Sequence, residues 1–117
     1  MKEKFYECKK IRRLTAENDV TFIINDDVDL AMIVEADGVH LGQKDLPVSE
    51  VRRIIGSDYI IGLSTHSPQQ AVAAQNQDVD YIGVGPIFST DTKADVCEAV
   101  GLEYLEYVVD NIDLPLA

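Results

Sequence analysis

Thr21 to Gln43, TFIINDDVDLAMIVEADGVHLGQ, is the stretch whose reading decides the fold. Phe22, Ile23 and Ile24 form an unbroken apolar run without period-two alternation, the pattern of a strand covered on both faces in a parallel α/β sheet. Asn25 and Asp26 end that strand, a short helix follows, and a second strand, Gly38 to Leu41, runs out into Gly42. Polar residues at the carboxyl ends of parallel strands sit where α/β folds place their chemistry. Asp45 follows the second strand as Asp26 follows the first. Adjacent parallel strands bring both carboxylates to one rim, where paired oxygen ligands suit a magnesium ion carrying a diphosphate.

Outward from this stretch the same unit recurs. Before it, residues 2 to 18 place Phe5, Cys8, Ile11 and Leu14 three apart among charges, which predicts an amphipathic helix ending near Asn18. Asp26 or Asp27 is placed to cap the next helix, with Val28, Ala31 and Met32 on its inner face. After it, a loop with Pro47 leads to a helix over Val48 to Ile55 that stops at Gly56. A third strand, Tyr59 to Ser64, again ends in polar residues, Ser64, Thr65 and His66. Ser67 and Pro68 then start a helix that presents Ala71, Val72 and Ala74. The fourth strand, Tyr81 to Val84, opens into a loop over residues 85 to 100, and a last helix begins near Leu102 with Leu105, Val108 and Val109 inward.

Two stretches echo each other, DGVHLG at 37–42 and DYIGVG at 80–85: an acid, a strand, and a glycine at the exit. Strands separated by helices imply parallel βα crossovers. The expected fold is α/β, one partial (β/α)8-barrel domain over residues 1–117, about half a barrel. Ile112 to Leu116 reads as the approach to a fifth strand. An open half-barrel has unpaired edges, so a homo-oligomer or a complementary half-barrel chain is expected to complete it.

Composition narrows the function. At 117 residues and 46% apolar the chain is an ordinary globular domain, with no membrane-spanning run. The charged amino terminus, MKEKFYECKKIRR, lacks the apolar core of a secretory leader, and a cytoplasmic protein with reduced Cys8 and Cys97 is expected. A net charge of −11 excludes a nucleic-acid surface, which needs clustered Lys and Arg. Small phosphorylated molecules stay open, because a metal or backbone amides invert the field locally.

Each candidate has a plain structural alternative. Asp26 reads as a helix cap or a metal ligand, and Asp45 as a loop acid or its partner. Asn25 can hold a phosphate oxygen or bond the backbone at a strand end. Ser64 can donate to a phosphate or cap a helix. His66 reads as a loop histidine, and His40 as a barrel-interior residue satisfied by its neighbours. The loop from Gly85 is the most unusual stretch: Thr90, Thr92 and Lys93, with several backbone amides, lie just past a strand in a strongly acidic chain. That is the composition of an anion site at a barrel rim.

Taken together, FIIND at 22–26, ADGVHLGQ at 36–43 with Asp45, IGLSTH at 61–66, YIGVGPIF at 81–88, TDTK at 90–93 and Gly101-Leu102 resemble the thiamine-phosphate synthase family, in order over nearly the whole chain. The resemblance implies strands three to six of a (β/α)8 barrel. It implies a magnesium-dependent transferase of thiamine biosynthesis, joining hydroxymethylpyrimidine diphosphate to a thiazole phosphate with release of diphosphate. By that resemblance Asp26 and Asp45 are the magnesium ligands. Asn25, Ser64 and Lys93 hold the pyrimidine diphosphate, with Ser64 and Lys93 acting on the departing group, and Thr90, Asp91 and Thr92 line the thiazole-phosphate site. The family's Gln-x-Arg-x-Lys stretch has no counterpart beyond Lys2-Glu3-Lys4, and Ser89 stands where proline is common. The alternatives are a non-catalytic fragment or half-barrel subunit that binds phosphate ligands, and a thiazole tautomerase-like relative, for which the Asp26 and Asp45 pair is not expected.

Overall fold

The computed structural model describes residues 1–85 and 101–117. The helix α1 (Lys2–Glu17) leads into β1 (Ile23–Asn25), α2 (Val28–Ile33), β2 (Gly38–Leu41), α3 (Val48–Ile55), β3 (Ile60–Thr65), α4 (Pro68–Gln75), β4 (Tyr81–Val84) and α5 (Gly101–Asn111). The strands form one parallel sheet in the order β1-β2-β3-β4. Ile23 stands beside Gly38, His40 beside Gly62, and Ser64 beside Gly83. Beyond β4 the chain's last residues begin a further parallel pairing: Val84 N–H donates to the Ala117 carbonyl at 3.1 Å and Ala117 N–H to Ile82 at 2.9 Å.

Period-two alternation sorts the side chains. Ile24, Val39, Leu41, Ile61, Leu63 and Ile82 point toward the helices and are buried. They meet Val28, Leu30, Ala31, Val48, Val51, Ile55, Ala71, Ala74, Tyr104 and Val108 in one core. Thr65 is the buried polar member. Its hydroxyl donates to the Gly83 carbonyl at 2.8 Å and accepts from Tyr104 Oη at 2.5 Å, which ties α5 to the sheet.

The expected elements are present, but several expected inner faces are not the covered ones. In α1, Phe5, Cys8, Arg12 and Thr15 face the sheet, whereas Ile11 and Leu14 are exposed. The cause is Arg12, which is drawn inward to the Asp37 carboxylate at 3.0 Å and the Glu35 carbonyl at 3.2 Å. Leu30 replaces Met32 on α2, and Tyr104 replaces Val109 on α5; Val72 of α4 is exposed. Asp27 is the residue before α2, but its side chain makes no cap hydrogen bond and instead pairs with Lys4. Ser67 does cap α4, accepting from Gln70 N–H at 3.2 Å, with Pro68 in the first turn.

The sequence echo has a structural counterpart at the amino-terminal rim. Asp37 accepts from Phe22 N–H of the preceding strand at 2.7 Å and from Arg12 of α1. Asp80 accepts from Ile61 N–H at 2.9 Å and from Arg52 of α3 at 3.0 Å. Arg52 also donates to the Asp78 and Tyr59 carbonyls at 2.7 Å. Each clasp therefore locks a helix and two strands with one carboxylate. Asp80→Ala should lower unfolding free energy by about 1–3 kcal/mol, the cost of leaving a buried donor without its acceptor, and Asp80→Asn should cost less. Urea unfolding reads both; losses within about 0.5 kcal/mol, as at an ordinary surface site, would remove the clasp from the account.

Candidate functional site

The face of the sheet turned away from the helices carries small residues at its centre. Gly38, Gly62 and Gly83 lie on three adjacent strands; at Gly38 a Cβ would meet the Ile60 backbone, and the missing side chains of Gly62 and Gly83 let larger neighbours fold over the sheet. A Cβ at Gly62 would stand 2.0 Å from Tyr81 Cζ, and one at Gly83 would stand 3.3 Å from His40 Cε1. Tyr81 and His40 occupy that space.

Above them, at the carboxyl ends of the strands, opens a cavity of about 570 Å³. Ile23, Asn25 and Asp26 line it from β1 and its exit, His40 and Gly42 from β2, Ser64 and His66 from β3, and Tyr81 and Gly85 from β4. Three of the residues singled out in the sequence, Asn25, Asp26 and Ser64, are thus brought together. Asp26 sits at φ 66°, in the left-handed region that Asp tolerates better than most residues, and its N–H donates to the His40 carbonyl at 2.9 Å. That conformation turns the chain sharply out of the sheet at the cavity edge. Asp45 lies on the exposed turn after β2, where its Oδ2 accepts from Gly42 N–H at 2.6 Å. It borders the cavity through Gly42 and is not itself a wall residue. Thr90, Asp91, Thr92 and Lys93 lie outside the described residues.

His40 is the centre of the interior network. Its Nδ1 is 2.8 Å from Tyr81 Oη and its Nε2 is 2.7 Å from Ser64 Oγ. The barrel-interior reading of His40 holds, and Ser64 turns its side chain to the histidine, leaving the capping of α4 to Ser67. Gln43 Nε2 donates to the Ser64 carbonyl at 2.8 Å, fixing the strand end. His66 Nδ1 donates to the Gly85 carbonyl at 2.5 Å, so its Nε2 is the nitrogen left to accept in the neutral ring. Tyr81 was absent from the sequence candidates. The signal for it was the alternation Tyr81, Gly83, Gly85, which puts one large polar ring on the face where its neighbours are glycines.

Burial disfavours the imidazolium of His40 and holds its pKa below the usual value, against an opposing pull from the Asp45 carboxylate. Burial likewise raises the Tyr81 hydroxyl. At the outer edge, Lys4 is held above its ordinary value by its hydrogen bond and attraction to Asp27, with a smaller contribution from Asp26. The oxygen donors near the rim are Asp26, Asp45, Asn25 and Ser64, and the imidazoles of His40 and His66 line the same cavity. Among the described residues no group of three or more His, Cys, Asp or Glu side chains could hold an ion unaided. The oxygen donors near the rim are of the type that a hard cation takes together with phosphate oxygens and waters.

The family model described as thiamine monophosphate synthase matches residues 1–117. The chain is 66% identical over 114 residues to a thiamine-phosphate synthase of Pelotomaculum thermopropionicum, covering 97% of this chain and 52% of that one. It is 57% identical over 109 residues to the thiamine-phosphate synthase of Lawsonia intracellularis, covering 93% and 50%. A solved structure, thiamine phosphate pyrophosphorylase from Pyrococcus furiosus, matches with a TM-score of 0.87 at 36% identity, over 98% of this chain and 54% of that one. The chain spans about half the length of the curated relatives it matches.

Because His40 is depressed, its sign in stability is fixed: the neutral ring's contribution is present above about pH 6.5 and is lost as pH falls through the lower folded value. The urea midpoint of the wild type should drop more between pH 7 and pH 5 than that of His40→Gln. Parallel pH profiles would show that His40 is not held neutral by the fold.

Proposed function

The chain belongs to the thiamine monophosphate synthase family, and on that premise we propose that it carries the metal and diphosphate side of a site for thiamine-phosphate synthesis. The reaction is the condensation of 4-amino-2-methyl-5-hydroxymethylpyrimidine diphosphate with 4-methyl-5-(2-hydroxyethyl)thiazole phosphate, giving thiamine phosphate and diphosphate. The observation that carries the reading is the cavity at the carboxyl ends of four parallel strands, which gathers Asn25, Asp26 and Ser64 with Asp45 at its edge.

In this reading Asn25 and Ser64 donate hydrogen bonds to the diphosphate, and Asp26 and Asp45 are the carboxylates that hold magnesium. Magnesium, when bound, neutralises charge on the departing diphosphate. Ile23 and the Tyr81 ring give the pyrimidine an apolar wall that keeps water from the reacting carbon. Departure of diphosphate leaves a pyrimidinylmethyl cation that the thiazole nitrogen attacks, so the site needs charge stabilisation at the leaving group far more than a general base. Lys93 is assigned to the leaving group with Ser64, and Thr90, Asp91 and Thr92 to the thiazole phosphate.

Among the described residues no helix is long and apolar enough to cross a membrane, and a cytoplasmic setting suits the proposed substrates. β1 is an edge strand of an open sheet. Further (β/α) units, in the same polypeptide, a complementary half-barrel chain or a second copy, are assigned to close the site around the ligands.

Asp26→Asn and Asp45→Asn should each abolish magnesium-dependent binding of diphosphate in a calorimetric titration, while binding without magnesium stays weak in every variant. Unchanged binding in both would remove the metal assignment.

A further inference from the structure

The hydrogen bonds around His40 have a direction, and it determines what Ser64 offers to the cavity. The ring sits between two hydroxyls, Tyr81 Oη at Nδ1 and Ser64 Oγ at Nε2. A neutral imidazole has one N–H and one bare nitrogen, so one hydroxyl must donate to it and the other must accept from it. If Ser64 donated, its hydrogen would be taken by the ring and the cavity would meet only a lone pair.

We propose that His40 is a positioning residue: Tyr81 donates to Nδ1, the ring proton stays on Nε2 and donates to Ser64 Oγ, and the Ser64 hydrogen is left directed into the cavity as a donor for an anionic oxygen. Two observations set that direction. A phenol is the more acidic hydroxyl and the poorer acceptor, so of the two it is the one that gives its hydrogen to imidazole. Tyr81 Oη also lies over Gly62, 2.4 Å from where a Cβ would be, a place without a polar side chain of its own, and His40 Nδ1 at 2.8 Å is the acceptor within its reach. Ser64, by contrast, lines the open cavity beside Asn25 and Asp26. Burial supports the arrangement by keeping the Tyr81 hydroxyl protonated, so that it has a hydrogen to give. The relay Tyr81 to His40 to Ser64 thus makes one serine a donor in a cavity that the Asp26 carboxylate also lines.

The ligand part of this inference rests on the cavity taking a diphosphate, and the test separates the two. In the chain labelled with 15N-histidine, long-range proton–nitrogen correlation spectra without ligand should show His40 protonated at Nε2 and bare at Nδ1, and Tyr81→Phe should increase the Nδ1-protonated form. Titration with diphosphate and magnesium should then weaken about tenfold in Ser64→Ala and in His40→Leu, the loss of one hydrogen bond to a charged group. His40→Gln, whose amide nitrogen can donate from near the Nε2 position, should recover most of that loss and serves if His40→Leu does not fold. A wild-type ring protonated at Nδ1 overturns the relay, as does His40→Leu binding as well as wild type. A wild type that shows Nε2–H but binds no diphosphate supports the relay and overturns the ligand reading alone.

Discussion

A parallel sheet has no hairpin to set its register, and here a carboxylate sets it. Asp37 and Asp80 each stand one residue ahead of a strand and reach back to a backbone N–H at the start of the strand before, while an arginine from the helix that precedes that earlier strand closes the triangle. A one-residue slip would exchange the two faces of a strand, burying Asn25, His40 and Ser64 and exposing Ile24, Val39 and Leu63. The cavity exists only in the register that the two acids select, so residues at one end of the strands govern which side chains line the cavity at the other.

The second constraint is volume. Two glycines on neighbouring strands, Gly62 and Gly83, leave a trough in the inner face, and Tyr81 and His40 lie down in it. Glycine weakens a strand interior, and that cost is accepted where another group must approach the backbone closely. The trough lets two polar rings find partners inside the sheet's concavity; among the described residues no buried side-chain nitrogen or oxygen lacks a hydrogen bond.

Much of this was legible in the residues. The second and fourth strands and the third helix fall where their patterns end, because an acid precedes and a glycine follows each of those strands, and Pro47 and Gly56 flank the helix. Asn25, Asp26 and Ser64 were placed at a common rim by position alone, since a parallel strand's last polar residues have nowhere else to go. What failed was the choice of covered helix face. Apolar spacing reveals which stripe of a helix is greasy, but Ile11 and Leu14 lost the inner face to Arg12 because a buried-side carboxylate was waiting for it. Asp27 lost its capping role to Lys4 for the same kind of reason, a partner distant in sequence. The Tyr81–His40–Ser64 chain depends on the register of three strands at once, which local pattern does not carry.

The two clasps also divide the molecule. One binds α1, β1 and β2, the other α3, β3 and β4, and the boundary between the modules runs between β2 and β3. At the amino-terminal rim a backbone hydrogen bond crosses that boundary, Ile60 N–H to the Asp37 carbonyl. On the cavity side it is stitched by side chains, His40 and Gln43 both reaching Ser64. Two clasped modules therefore meet along the line where the cavity's side chains join, and any ligand gripped across that line would fasten two halves of the sheet as well as occupy a pocket.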